Sequence, residues 1–485
     1  MKLVSKIYLL GMLGFSLASC ESFEDLQLDP NRPVQAEPSL ILTQIETNAF
    51  SSVSLGAALA SRQLIYTNSV SENQYYGWQR ASFDDYNQLR QVSKLFEEAE
   101  RKDNASYRAI ALFFRAYYLV ELTNVFGDIP ASEAVLGSEG NFTPVYDSQE
   151  RVFQAVLADL DQANQLMGPD SGEILGDIIY DGDYLKWKRL INSFHLRVLM
   201  SLSLRENDAD LDVKGKFNSI FSNPTQYPLM ESNADNGALN YVDIEGNRYP
   251  TFNSNELRTA YYMEKSFVDR LKSLNDPRLF VFADKEINGR NLPDSDLSAY
   301  SGLGGADPLS TNTNLLLEGT GSPIDSRYHS DPINQPSLLM GYAELEFTLA
   351  EASVRQWISS SAEEHYKNAI IGSMLFNGIT LTEAEQYLSQ QSVELGNSNP
   401  IEKILTEKHT AFFMNSGWEP FYNQRRTGIP VFSLSDEIIN SGGIPKRWMY
   451  PQSEIQLNLE NLNQALDRQF GGEDDINSLP WIIRP

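Results

Sequence analysis

The helical character of the chain is clearest in Gly341-Tyr-Ala-Glu-Leu-Glu-Phe-Thr-Leu-Ala-Glu-Ala352, which runs on to Trp357. Three serines at 359–361 interrupt the pattern, and it resumes in Ala362-Glu-Glu-His-Tyr366-Lys-Asn-Ala369-Ile370. Alanine and aromatic residues stand at helical offsets on both sides of the serines. The stretch therefore predicts two helices joined by a short polar turn.

Three further helical patterns precede this pair. Residues 106–123 place apolar side chains on one face, and residues 148–167 do so after a helix start at Ser148. A third stripe runs from Trp187 to Leu202. The two predicted helices in residues 341–370, with their spacing of alanine and tyrosine, resemble a tetratricopeptide-type hairpin. The helices predicted at 106–123 and 148–167 are a second candidate pair. We expect an all-α fold with tetratricopeptide-like helical hairpins as its scaffold, and no regular solenoid.

Residues 224–337 have a different composition. They are rich in Asn, Asp, Pro, Gly and Ser, as in Ser301-Gly-Leu-Gly-Gly-Ala-Asp307-Pro308. Long irregular segments in a folded domain often carry function. We expect this segment to be a loop-rich, ligand-binding insertion laid over the helical scaffold.

The first twenty residues read as a lipoprotein signal peptide. Lys2 and Lys6 precede twelve mostly apolar residues, and Leu17-Ala18-Ser19-Cys20 follows. The apolar run is too short to span a membrane. Cys20 is the only cysteine among 485 residues, so lipidation there is favoured over an ordinary signal peptide with an incidental cysteine. We therefore expect a signal peptide at 1–19, a lipidated Cys20 and flexible tether at 20–39, and a single domain at 40–485.

Charge and cysteine content exclude several classes of function. The chain carries 38 basic and 65 acidic residues, a formal net charge of −27. Such a surface repels phosphate backbones, so nucleic acid is not an expected partner. With Cys20 acylated, no thiol remains for a disulfide, a metal site or a nucleophile.

No catalytic motif, metal site or cofactor site is recognisable. The four histidines lack metal-ligand spacing, and His195 lies in an apolar stripe, where a core histidine with one hydrogen-bonded nitrogen is expected. Glu344 and Glu346 are two apart on a predicted helix and should point to different sides. The protein is therefore not expected to be an enzyme. A surface glycoside hydrolase on a helical scaffold is the alternative, which needs paired carboxylates in a cleft.

A binder of neutral ligands needs aromatic faces and polar side chains. The sequence Glu72-Asn-Gln-Tyr-Tyr-Gly-Trp-Gln-Arg80 places aromatics among polar residues, which predicts ligand contacts by Gln74, Tyr75, Tyr76, Trp78 and Arg80. Core packing of this aromatic group is the equally weighted alternative. The secondary candidates are Tyr300 and Tyr328 in the loop-rich segment. Three tryptophans lie in apolar helical patterns and are expected in the core: Trp187, Trp357 and Trp418.

A set of short motifs occurs in order along the mature chain: Asp29-Pro-Asn-Arg-Pro33, Phe126-Gly-Asp-Ile-Pro130, Pro144-Val-Tyr-Asp-Ser-Gln149, Gly176-Asp-Ile-Ile-Tyr180-Asp-Gly-Asp183, Phe347-Thr-Leu-Ala-Glu351-Ala, Arg425-Arg-Thr-Gly-Ile-Pro430 and Ile444-Pro-Lys-Arg447 with Tyr450-Pro451. With the lipidation signal, their order resembles the SusD/RagB nutrient-binding outer-membrane lipoproteins, in particular the SusD-like subgroup. Most of the motifs are of a structural type. Asp128 is expected to bond nearby backbone amides, and Arg425 and Arg426 to pair with carboxylates rather than with ligand.

The resemblance implies a location and a partner. It implies a lipid-anchored protein of the outer membrane at the cell surface, which binds oligosaccharides or oligopeptides without catalysis. It also implies delivery of the ligand to a SusC-like TonB-dependent outer-membrane transporter. It does not tell a glycan from a peptide.

Overall fold

Antiparallel helix pairs carry the fold, which confirms the predicted all-α class. The computed structural model describes residues 36–396 and 398–484, so Cys20 and most of the predicted tether lie outside the described residues. The α-helices are α1 Pro38–Ala49, α2 Leu55–Ala60, α3 Asp85–Arg101, α4 Ala105–Phe126, α5 Gln149–Leu166, α6 Tyr184–Ser201, α7 Val213–Ser222, α8 Asn255–Ala260, α9 Lys265–Ser273, α10 Leu279–Phe282, α11 Leu309–Leu317, α12 Arg327–Ser330, α13 Tyr342–Val354, α14 Ala362–Phe376, α15 Leu381–Leu388, α16 Pro400–Ala411, α17 Glu419–Thr427, α18 Gln452–Leu457 and α19 Leu459–Phe470. Helix α1 begins two residues inside the predicted tether.

Short caps explain where the predicted helices begin. The Ser148 hydroxyl accepts from the Arg151 amide at 3.4 Å, and the Ser361 hydroxyl accepts from the Glu364 amide at 3.2 Å. Helices α13 and α14 form the predicted hairpin and approach closely at Gly372, where an added Cβ would lie 3.1 Å from the Tyr342 ring. Helix α4 packs against both α3 and α5.

Helix α4 is the centre of the N-terminal core. Its length and composition would allow it to cross a membrane, but 78% of its apolar window is buried within the fold. Trp187 is fully buried and makes edge contacts with Phe113 and Phe114 at centroid distances of 6.0 and 5.9 Å. Trp357 is also buried, against Phe217. The core placement of these two tryptophans is therefore confirmed.

His195 is a core residue, as predicted, but its expected hydrogen bond is wrong. Neither ring nitrogen has a hydrogen-bond partner among the described residues. The nearest carboxylate, that of Asp161, lies 3.9 Å from Nδ1. Burial lowers the pKa of His195 to about 3, so the ring is neutral at physiological pH.

Three residues of the family-type motifs have structural roles in the part of the fold that the structure describes. The Asp128 carboxylate accepts from the Gln149 amide at 2.8 Å and pairs with Arg468 at 2.5 Å, which confirms the predicted backbone bond. The Arg426 guanidinium pairs with Glu351 at 2.6 Å inside the protein. Arg425 donates instead to backbone carbonyls, including that of Asn124 at 2.7 Å.

The segment 224–337 is more than loops over a scaffold. Two small antiparallel sheets tie it to the rest: β1 Leu64–Tyr66 pairs with β3 Tyr261–Met263, and β2 Gly237–Leu239 pairs with β4 Ser337–Met340. The segment also contributes most of a hydrophobic core that it shares with α2, β1 and Phe413, on which Phe282 stacks at 4.3 Å and Phe267 at 5.5 Å. Short apolar runs separated by glycines and prolines concealed this core from the sequence analysis.

Candidate functional site

The predicted platform residue Trp78 lies in an aromatic cluster inside the protein. Its ring stacks on Trp448 at 4.7 Å with 11° between the planes, and its edges meet Trp418 and Phe421 at 5.9 and 5.4 Å. The indole N–H donates to the Arg447 carbonyl at 3.3 Å. Only 4% of Trp78 is exposed. Its ring faces are covered, so the expectation that Trp78 stacks on ligand is corrected to a packing role.

A later segment covers this part of the chain. The Ile439 amide donates to the Tyr75 carbonyl at 2.9 Å, and a Cβ at Gly77 would lie 2.7 Å from the Ile439 side chain. Apart from Tyr76, the aromatic partners of Trp78 are more than 330 positions away in sequence. The polar neighbours of Trp78 gave no sign of them, which is why the sequence analysis misplaced this group. Trp418, expected in the core, belongs to the cluster and is partly exposed.

The remaining members of the predicted motif hold loops together. Tyr75 and Tyr76 are buried, and their hydroxyls donate to the carbonyls of Asp307 and Ala60 at 2.8 and 2.9 Å. The buried Gln74 side chain accepts from the Tyr66 amide at 2.7 Å. Gln74 fixes strand β1, Tyr75 and Tyr76 bond the backbone at Asp307 and Ala60, and none of the three is exposed to a ligand.

Arg80 and the secondary candidates are also engaged. The Arg80 side chain is 29% exposed and pairs with Asp474 at 2.8 Å. Tyr300 and Tyr328 belong to the core of the loop-rich segment, with 3% and 0% exposure. The Tyr300 hydroxyl donates to the Asp294 carbonyl at 2.9 Å, and Arg327 donates to the Tyr328 hydroxyl at 2.6 Å. Both predicted tyrosine contacts with ligand are therefore corrected to core packing.

A partly exposed aromatic surface occurs at the β1–β3 sheet, beside the predicted motif: Tyr66 is half-buried and Tyr261 is 8% exposed. Tyr66 and Tyr261 are cross-strand partners, with ring centroids 5.1 Å apart and 48° between the planes. The Tyr66 hydroxyl is exposed and donates to the Glu256 carboxylate at 2.5 Å. Asn68 and Ser69 follow β1 and are exposed. We call these five residues the tyrosine surface.

Local sequence explains how this surface is held. Strand β1 is fixed from the inside by Gln74, and Thr67 donates through its hydroxyl to the Ala260 carbonyl at 3.1 Å. Ser254 caps α8, so Glu256 stands in the first turn of that helix. The hydrogen bond to Glu256 raises the pKa of the Tyr66 phenol, which therefore stays protonated and can donate. The sequence feature that could have identified Tyr66 as a surface residue is its position at the end of the short apolar run Leu64-Ile65-Tyr66, just before the polar residues Thr67 and Asn68.

A second concave region, of about 1080 Å³, lies between α3 and the segment 130–144. We call it the α3 groove. Its floor consists of aromatic and aliphatic residues: Phe83, Tyr86, Leu89, Leu119 and Pro130. One wall is the polar face of α3, and Phe142 stands on the opposite rim with 76% of its surface exposed. This groove was not predicted from the sequence.

The acidic residues that could support the hydrolase alternative are engaged elsewhere. Glu344 pairs with Arg197 at 2.5 Å, and Glu346 with His365 at 2.8 Å, so these carboxylates do point to different sides. Burial and the neighbouring Asp177 carboxylate raise the pKa of Glu46 to about 10. Such a pair is typical of acid–base sites, but Glu46 is fully buried.

Asp177 is held by structural contacts as well. Its carboxylate accepts from the Trp187 indole at 2.8 Å and from the Gly182 amide at 2.9 Å. A separate acidic group has oxygens within 4.8 Å of one another, as a cation would require: Glu150, Asp208 and Asp210. Exposed acidic residues commonly cluster in this way without binding a metal ion.

Comparison with known proteins places this geometry in context. Residues 30–451 match the model of a SusD-like family described as starch-binding and associating with the outer membrane. A crystal structure of a SusD homologue from Bacteroides fragilis is 41% identical, with a TM-score of 0.86 over 93% of this chain and 100% of that chain. A Bacteroides vulgatus outer-membrane protein described in connection with nutrient binding is 37% identical, with a TM-score of 0.88 over 93% and 100% of the two chains.

More distant structures share the fold. A chitin-binding protein is 22% identical, with a TM-score of 0.75 over 93% of this chain and 100% of that one. At this level of identity the likeness concerns the fold alone. No curated protein sequence matches the chain.

Proposed function

Because this chain belongs to the SusD-like family of outer-membrane-associated binding proteins, we propose that it is a cell-surface lipoprotein that captures oligosaccharides at the tyrosine surface. The family model spans residues 30–451, nearly the whole mature chain. The lipid on Cys20 anchors the protein. The captured glycan passes to a SusC-like TonB-dependent outer-membrane transporter.

The observation that carries the choice of ligand is the half-buried Tyr66, whose ring lies beside the buried Tyr261 and whose exposed hydroxyl meets the exposed Glu256 carboxylate. Sugar rings present C–H faces that pack on aromatic rings, and their hydroxyls need polar partners. At the tyrosine surface the phenol and the carboxylate are exposed, with the side chains of Asn68 and Ser69 nearby. Rings and hydrogen-bonding groups therefore meet at one accessible place.

Calorimetric titration with chito- and malto-oligosaccharides of six units tests this proposal. Removing an aromatic anchor typically costs about 2 kcal/mol, so Tyr66→Ala should weaken binding roughly thirtyfold. Tyr66→Phe keeps the ring and should lose much less. Tyr184→Ala, which removes a partly exposed tyrosine at the start of α6, is the matched control and should bind like the parent. Unchanged affinity in Tyr66→Ala, or no binding of any glycan by the parent, would refute the site.

The same titrations address the hydrolase alternative. Analysing the glycans by mass spectrometry after incubation should return them intact. Cleavage that disappears in a single Asp or Glu variant would favour the enzyme. For the transporter, affinity purification of the lipidated protein from its native outer membrane should recover a TonB-dependent barrel, and recovery without one would contradict the proposed partner.

A further inference from the structure

A small cavity lies where α6, α16 and α17 meet, and Ile482 and Ile483 also line it. Its volume is about 30 Å³. A single water needs about 10–15 Å³, so the cavity admits a monatomic ion or about two waters and excludes a sugar or a peptide. Ser201 and Asn423 line it and are partly exposed, which gives an ion a path from solvent.

Positive charge dominates this cavity. Four cationic side chains line it: Arg197, Lys408, Arg425 and Arg426. Among the described residues that line it, the single carboxylate is that of Glu419, and burial raises the pKa of this group, which weakens it as a counter-ion. Removing a charge from water costs several kcal/mol unless the charge is paired. An excess of cations inside a chain with a net charge of −27 therefore calls for an anion.

Two of the four cations have carboxylate partners outside the cavity. Arg197 pairs with Glu344 at 2.5 Å, and Arg426 pairs with Glu351 at 2.6 Å. Glu351 also holds Arg355 at 2.9 Å. This carboxylate already serves two guanidinium groups, so it does not neutralise a third cation.

The other two cations, Lys408 and Arg425, lie in no ion pair within the part of the chain that the structure describes. Lys408 is 3% exposed, and its ammonium donates to the Thr348 hydroxyl at 3.1 Å. Arg425 donates to backbone carbonyls, and its Nε has no partner among the described residues. Burial lowers the pKa of both groups, that of Arg425 to about 10, because the neighbouring carboxylates offset only part of the lost hydration.

The unpartnered atoms at the cavity can all donate hydrogen bonds. Tyr422 is 7% exposed, and its hydroxyl has no partner among residues 36–396 and 398–484. Burial raises the pKa of this phenol, so it keeps its proton. The Nε–H of Arg425 is a donor and cannot accept. A water needs acceptors for its own two hydrogens, whereas an anion accepts from each of these groups.

We propose that this cavity is a chloride site, in which one halide ion accepts hydrogen bonds from Lys408, Tyr422 and Arg425. The ion neutralises the surplus positive charge and so holds α16 and α17 together. The site shares no residue with the tyrosine surface and does not depend on glycan binding there.

Thermal unfolding of the full-length mature protein tests the proposal. Sodium chloride replaces sodium gluconate at constant ionic strength, because gluconate is too large to enter the cavity. Chloride should raise the melting temperature in a saturable manner, by about 2 °C or more. Crystals grown in sodium bromide should show one anomalous scattering peak in the cavity. Equal melting in both salts, or a cavity that holds only water in bromide crystals, would overturn the proposal.

Three variants separate a specific site from a general salt effect. Lys408→Met should lose the chloride-dependent rise and, because it removes an unpaired buried charge, should melt in gluconate no earlier than the parent. Tyr422→Phe removes one donor and covers the case in which Lys408→Met does not fold. It should raise the half-saturating chloride concentration about tenfold, as expected for one hydrogen bond to a charged group.

The matched control is Lys188→Met, which removes a half-buried lysine of α6 that donates to the Asn164 and Met167 carbonyls outside the cavity. It should keep the full chloride-dependent rise. The same rise in a folded Lys408→Met or Tyr422→Phe variant, at the parental chloride concentration, would show that chloride acts elsewhere and would overturn the proposal.

Discussion

Trp78→Ala should destabilise the protein rather than abolish ligand binding directly. Trp78 is 96% buried and contacts four aromatic rings, one of them stacked at 4.7 Å. Truncation of a buried tryptophan to alanine costs about 3–5 kcal/mol. The stacked and edge-to-face pairs favour the upper half of that range, because each is worth about 0.5–1.5 kcal/mol beyond simple burial. We expect the free energy of unfolding to fall by about 4–5 kcal/mol.

Equilibrium urea unfolding, followed by tryptophan fluorescence and circular dichroism, measures this loss. Trp78→Phe keeps one ring in the cluster and should lose about half as much. Tyr66→Ala removes a half-buried ring that packs against the core and Tyr261, so it should lower stability, but by less than Trp78→Ala does. The reasoning fails if Trp78→Ala unfolds at the parental urea concentration and yet no longer binds glycan. That result would mean that the segment carrying Trp448 opens and that Trp78 contacts the ligand after all.

Two perturbations of the structure and one of the predicted lipidation site give further expected outcomes. Burial beside Asp177 gives Glu46 a pKa of about 10 in the folded protein against 4.5 in the unfolded chain, so the folded state keeps a proton that the unfolded chain loses. The free energy of unfolding should therefore fall as pH rises between these values. In urea melts at pH 5–9, Glu46→Gln should reduce this fall by up to about 1.4 kcal/mol per pH unit, and parallel profiles of parent and variant would contradict the expectation. Arg426→Ala leaves the buried Glu351 carboxylate unpaired and should lower the free energy of unfolding by about 3–5 kcal/mol, whereas Arg80→Ala, at a partly exposed pair, should cost about 1 kcal/mol or less. Cys20→Ala should release the protein from the membrane fraction after export, and its retention in cells that lack the transporter would argue against a single lipid anchor.

The helical scaffold was predictable because its signals are local. The caps at Ser148 and Ser361 and the apolar stripe through Trp187 each lie within one helix, so a short window of sequence contains them. The hairpin at residues 341–376 was predicted from such local spacing alone. The order of the family motifs along the chain indicated the overall fold, which no short window of sequence contains.

The binding residues were not predictable, because their exposure depends on distant partners. Gln74, Tyr75, Tyr76 and Trp78 look like a binding motif in sequence, but the polar groups bond backbone carbonyls and amides, and the rings meet residues from the far end of the chain. Tyr66 lay only eight positions from Gln74 in an unremarkable apolar run. Its place at the sheet surface depends on strand pairing with residues 261–263, about 200 positions away.

The stacking of Trp78 on Trp448 joins positions 370 residues apart, and strand β1 pairs with strand β3, which lies nearly 200 residues downstream. Non-local contacts of this kind slow folding, because a long loop must close before they form. In the proposed export from the N-terminus, Trp78 lacks its stacking partner until the last tenth of the chain emerges. We therefore expect the polypeptide to fold only when translocation is almost complete, and a chain truncated before residue 448 to be a substrate for proteases rather than a smaller working binder.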